Sequence, residues 1–226
     1  MPRYVGSGKS VKHVVETGEQ VKANFVASRH APISKEVKAF LTEWSRFNAA
    51  AKAAEAASLK EDLVRDALSE ADAERDEAVR VLDRKLIEAG APAKASSFKP
   101  FGAPSPSEVL RLGHGEQTKV VAKLVKAIAA KKGQSAGVLA AVKALSKAND
   151  AVIAAELRVK ASAEAASRAR GVREGFDRQT RAALSKLKLQ VRLAEKDGLV
   201  GAYSQLFATD APVKKPAATP PVSAPT

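Results

Sequence analysis

Two proline-free stretches, residues 34–89 and 136–197, dominate the chain, and both are written mainly in Ala, Lys, Glu, Arg and Leu. These residue types lose little on entering a helix and pack poorly in a sheet, so the stretches predict long α-helices. Their ends carry matching signals. Pro32 precedes Ser34, a residue type that caps helix starts, while Gly90 and Pro92 stop the first stretch and Gly198 stops the second. Unbroken, each would run about 80–90 Å at 1.5 Å per residue.

Within the first stretch Val37, Phe40, Leu41, Trp44, Phe47, Ala51 and Ala54 recur at three- and four-residue steps. Leu59, Leu63, Leu68, Ala71, Ala78, Leu82 and Leu86 extend the stripe, which predicts one buried face. Between the two sets the spacing slips out of heptads, and Ser58 with Glu61 has capping-box spacing, a place where a second helix would start. The weak points of the second stretch, Gly171 and Gly175, fall at a different place in the aligned register. Two related hairpins would turn at related positions, so continuous helices are expected.

Short matches suggest an internal duplication. GEQVK at Gly18 to Lys22 recurs as GEQTK at Gly115 to Lys119, and VKAF at Val37 to Phe40 recurs as VKAL at Val142 to Leu145, in the same order. The expected fold is all-α: an elongated helical bundle or coiled coil of two long helices and two shorter ones. The expected organisation is a flexible basic arm (1–17), a first helical repeat (18–90), a Pro/Ser-rich linker (91–107), a second, basic repeat (108–198) and a Pro/Ala-rich disordered tail (199–226).

Composition narrows the chemistry. There is no cysteine, hence no disulfide framework and no thiolate metal site, and the three histidines, His13, His30 and His114, sit in predicted loops or arms without a Ser or Asp at motif spacing. The stretch VGSGKS, Val5 to Ser10, imitates the end of a phosphate-binding loop. That loop requires a glycine where Arg3 stands and a strand upstream, for which there is no room. No enzyme activity, cofactor or metal is expected. The N-terminal MPRYVGSGKSVKH lacks an apolar segment after its charged start, and no stretch reaches about 18 uncharged apolar residues, so a cytoplasmic location is expected.

Charge points to partners. The formal net charge of +13 divides into +2 for residues 1–106 and +11 for residues 107–226. A basic second half attracts nucleic acid, an anionic membrane surface or an acidic protein. Candidate polyanion-binding residues are Lys119, Lys123, Lys126, Lys131, Lys132, Arg168, Arg170, Arg173, Arg178, Arg181, Lys214 and Lys215; Glu164, Glu174 and Asp177 interrupt the series. Phe40, Trp44 and Phe47 share a helical face and read first as core, with a partner-docking site as the alternative. The acidic run Glu70 to Glu77 reads as a solvated face or as partners for Arg75 and Arg80.

With aromatics at 4%, an Ala-lined stripe lets helices approach closely but leaves one chain little area to bury. The expected function is therefore a helical scaffold or assembly protein that self-associates through helix–helix contacts. Nucleic-acid binding is the alternative, and peripheral membrane binding through the Lys119 to Lys132 helix the third.

Overall fold

A computed structural model describes residues 10–91 and 96–208. Residues Val5 to Lys9 of the loop-like stretch, the tail from residue 209 onward, and Lys214 and Lys215 with it, lie outside the described residues. The described residues form α-helices and two single 3₁₀ turns, with no strand among them, so the fold is all-α.

The first helix, α1, spans Val11–Asn24. Ser10 caps it, its Oγ accepting from the His13 N–H at 3.4 Å. Residues 11–17, read as part of a flexible arm, are thus helical, and Val14 and Thr17 are buried. The apolar step from Val14 to Val21 gives this short segment a face to bury, which the basic character of its surroundings concealed.

The helix α2 spans Ser34–Glu88 without interruption. Ser58 and Glu61 lie inside it, and no second helix starts there. A short helix, α3, spans Pro106–Val109, with Ser105 and Glu108 closing a capping box at its start. The helix α4 spans His114–Ala130, and α5 spans Ala136–Lys196 as one element. Last comes α6, Ala202–Phe207, with Ala202 and Leu206 buried. The first residues of the expected disordered tail therefore contribute to a core.

The chain forms two compact units. The first takes in α1, the start of α2 up to Ala54, the end of α5 from Ala169, and α6. Its core gathers Val21, Ile33, Val37, Phe40 and Trp44 with Leu184, Leu187, Val191, Ala202 and Leu206. His30, assigned to a loop, is buried at the approach to α2, its Nδ1 3.1 Å from the Val26 backbone N–H. Tyr203 and Phe207 pack ring to ring at 4.8 Å, with Arg192 over the first and Lys188 over the second.

The second unit comprises residues 55–168: the rest of α2, α3, α4 and the start of α5. Its core brings Val79, Leu82 and Leu86 of α2 against Val121, Leu124 and Ile128 of α4 and Val138, Val142 and Leu145 of α5. Phe98 and Val109 join that core fully buried. The segment read as a linker is thus packed in where it is described. Two of its prolines, Pro100 and Pro106, stand in the first turn of a helical segment instead of marking a solvated spacer.

The burial pattern repeats along the chain. A step of 105 residues (Val37 to Val142) carries Ile33, Val37, Phe40, Trp44 and Phe47 onto Val138, Val142, Leu145, Asn149 and Val152, all buried. The same step carries Arg75, Val79, Leu82 and Leu86 onto Thr180, Leu184, Leu187 and Val191, again all buried. The VKA match is therefore in phase with the packing. The GEQ match is not: its step is 97 (Gly18 to Gly115), and Gly18 is buried whereas Gly115 is exposed.

Candidate helix-docking site

The second unit contains a polar cluster that the sequence did not advertise. Arg75, fully buried, donates through Nη2 to the Asp72 carboxylate and, at 2.7 Å, to Gln117 Oε1, while its Nη1 reaches Thr118 Oγ1 at 3.0 Å. Gln117 Nε2 donates to Asp76 at 2.8 Å, and His114 Nδ1 lies 3.0 Å from the Asp72 carboxylate. Asn149 adds a bond from α5, its Nδ2 donating to the Thr118 carbonyl at 3.4 Å. A guanidinium whose two terminal nitrogens bond a carboxylate, an amide and a hydroxyl, with its Nε buried and unpaired, is a link between helices. Two acids of the run Glu70 to Glu77 serve this link and a third, Glu77, pairs with Arg80 and Arg84 at 3.4 and 2.9 Å. The Arg84 hydrogen bond, chiefly, holds the Glu77 carboxyl below its ordinary pKa.

Phe40, Trp44 and Phe47 are 1%, 5% and 0% exposed. They belong to the core of the first unit, and the docking alternative does not survive, because a partner has no access to them. Among the basic candidates, Lys119, Lys123 and Lys126 stand exposed along α4 at four- and three-residue steps, and Lys131 and Lys132 follow at its end. Lys131 sits 5.1 Å over the Phe101 ring. Of the α5 arginines, Arg168 lies 4.0 Å from Glu164, Arg173 3.5 Å from Glu174 and Arg181 2.7 Å from Asp177. Arg170 and Arg178 are exposed. The acids that interrupt the series in sequence thus offset part of its charge in space.

The apolar surface left open lies elsewhere. Leu59, Leu63 and Leu157 are 60%, 69% and 65% exposed. The first two were expected to extend the buried stripe. After Ala54 the covered line instead continues through the half-buried Ala57, Val64 and Leu68, which leaves Leu59 about half a turn away on the far side. Among the described residues, α2 and α5 line this stretch of the unit together. Val79 to Leu86 pack with the early part of α5, and Ala57 to Val64 with Arg158 to Ala165, so the two helices run in opposite directions. Between them opens a groove of about 390 Å³ lined by Ala57, Lys60, Val64, Arg158, Ala161, Ser162 and Ala165. Small side chains make its floor, and one cation from each helix stands along it. Such a trough admits a helix ridge at close range.

Among the described residues no helix is long and apolar enough to cross a membrane, and no cluster of His, Asp or Glu has the geometry of a metal site. Comparison with protein-family models, curated proteins and solved structures gives no match. The class that the fold defines is an all-α helical bundle.

Proposed function

We propose that the chain is a helical scaffold that self-associates through the paired stretch of α2 and α5, working by helix–helix contact and not by catalysis. The observation that carries this reading is the exposure of Leu59, Leu63 and Leu157 beside an Ala-lined groove. Two helices alone cannot cover a leucine on the outer side of either one, and a third or fourth helix from another molecule supplies the missing burial. Fully burying a leucine is worth about 1.5–3 kcal/mol, so covering three on each of two copies contributes a gain of the same order as the entropy lost on association. Sedimentation velocity across a range of concentrations tests it. Mass above the 23.7 kDa of one chain is expected to rise with concentration; one 23.7 kDa species throughout refutes the reading.

A second reading, polyanion binding, is favoured by the exposed Lys119, Lys123 and Lys126 on α4. Its mark is an affinity for DNA or RNA that falls steeply with salt and weakens when these three lysines become glutamine. Absence of any shift at low ionic strength removes it.

A further inference from the structure

We infer that the groove between α2 and α5 receives the outer ridge of α2 from a second copy of the chain. The inference rests on the self-association reading and names its two faces. On the groove side, a sector of α2 holds Ala56, Ala57, Lys60, Val64, Ala67 and Ala71, and Leu63 marks its outer edge. The matching sector of α5 consists of five alanines between Ala151 and Ala165 with Arg158 and Ser162 among them. Each helix therefore presents an alanine wall with a single charge, and both charges are positive.

The complementary surface is on the same molecule. Leu59, Leu63, Asp66 and Glu70 follow one another at four-, three- and four-residue steps, so they form one straight ridge on α2, and all four are exposed. Farther along, Glu74 and Glu77 prolong its acidic end, and no lysine or arginine of residues 55–77 falls in the surrounding sector about 120° wide. Leucine knobs fit an alanine trough, and the two carboxylates fit a trough whose charges are Lys60 and Arg158.

Charge selects the occupant. The chain as a whole carries +13, so most of its surface repels Lys60 and Arg158. The α2 ridge joins a dense negative strip to exposed leucines, and a second copy brings that ridge to the groove at equal concentration. Alanine at nine of the groove positions on the two helices, with valine at a tenth, leaves room for a close approach that larger side chains would block.

The test is a charge swap in the full-length chain, read by sedimentation velocity, with circular dichroism to verify helicity. A groove variant carries Lys60→Glu and Arg158→Glu; a ridge variant carries Asp66→Lys and Glu70→Lys. Each alone is expected to weaken association at least about tenfold, since like charges then face each other. Mixed in equal amounts, the two restore it, because each contact again joins opposite signs. The native chain is also expected to associate more weakly as salt rises, a readout that requires no variant. If the native chain associates but both variants associate equally well, or if the mixture stays dissociated, the groove-and-ridge pairing is wrong while self-association stands. If the native chain is monomeric at every concentration, both fall.

Discussion

The indole Nε1–H of Trp44 donates to the backbone carbonyl of Val15 over 3.2 Å, and α1 approaches the ring that closely because residue 18 is glycine. A Cβ at position 18 would lie 1.9 Å from that nitrogen. In the second unit Asn149, 105 residues after Trp44, donates to the carbonyl of Thr118, 103 residues after Val15. The same backbone link is thus made twice, by an indole that demands a glycine and by a small amide that does not.

Gly18→Ala is therefore expected to destabilise the first unit by about 1–3 kcal/mol, overpacking outweighing the helix propensity gained. Gly171→Ala and Gly175→Ala, where nothing lies within 4 Å, are expected to stabilise by about 0.5–1 kcal/mol each. Urea unfolding followed by circular dichroism measures all three. A neutral Gly18→Ala would contradict the packing of Trp44 on α1.

Arg75→Ala is expected to cost about 3 kcal/mol, because it strands Gln117 and the Asp72 carboxylate beside a void. Arg80→Ala removes an exposed ion pair and is expected to change stability by less than about 1 kcal/mol. The contrast between the two midpoints checks the assignment.

Glu108 offers a pH prediction. The Ser105 hydroxyl, then the Ser105 backbone N–H, and the Arg111 charge hold its carboxyl below the ordinary glutamate value, against a smaller effect of desolvation. A lowered folded-state pKa means the carboxylate is favoured by folding. Its contribution is complete above the unfolded value and is lost as pH falls through the folded one. By NMR titration, Ser105→Ala should move the Glu108 midpoint upward; an unchanged midpoint would dismiss the capping box as its cause.

Much of the fold was legible from spacing. Pro32, Ser34 and Gly90 bracket α2, and Gly198 follows the end of α5, because caps and breakers act locally. Continuity through Ser58 was legible too, because the weak points of the second stretch, Gly171 and Gly175, fall out of register with it. What periodicity could not settle was which face of a long helix is covered when its neighbours change along its length. Leu59 follows Ala54 by five residues and Leu63 comes four later, which turns both off the covered face, and where α2 runs beside α5 they stay exposed. Phe98 was hidden by Pro and Ser in a segment that reads as solvated. Arg75 looked like one charge among many in EADAERDE, since its burial depends on Gln117 and Thr118, more than 40 residues away.

With no cysteine of its own, the chain accepts a single reporter thiol anywhere. Placed as Ala161→Cys on the groove wall, or as Ser167→Cys on the other side of α5, it reports burial directly by its rate of maleimide labelling. As concentration rises, labelling at position 161 is predicted to slow while labelling at position 167 holds constant. Equal rates at both positions at every concentration would contradict association through the paired helices.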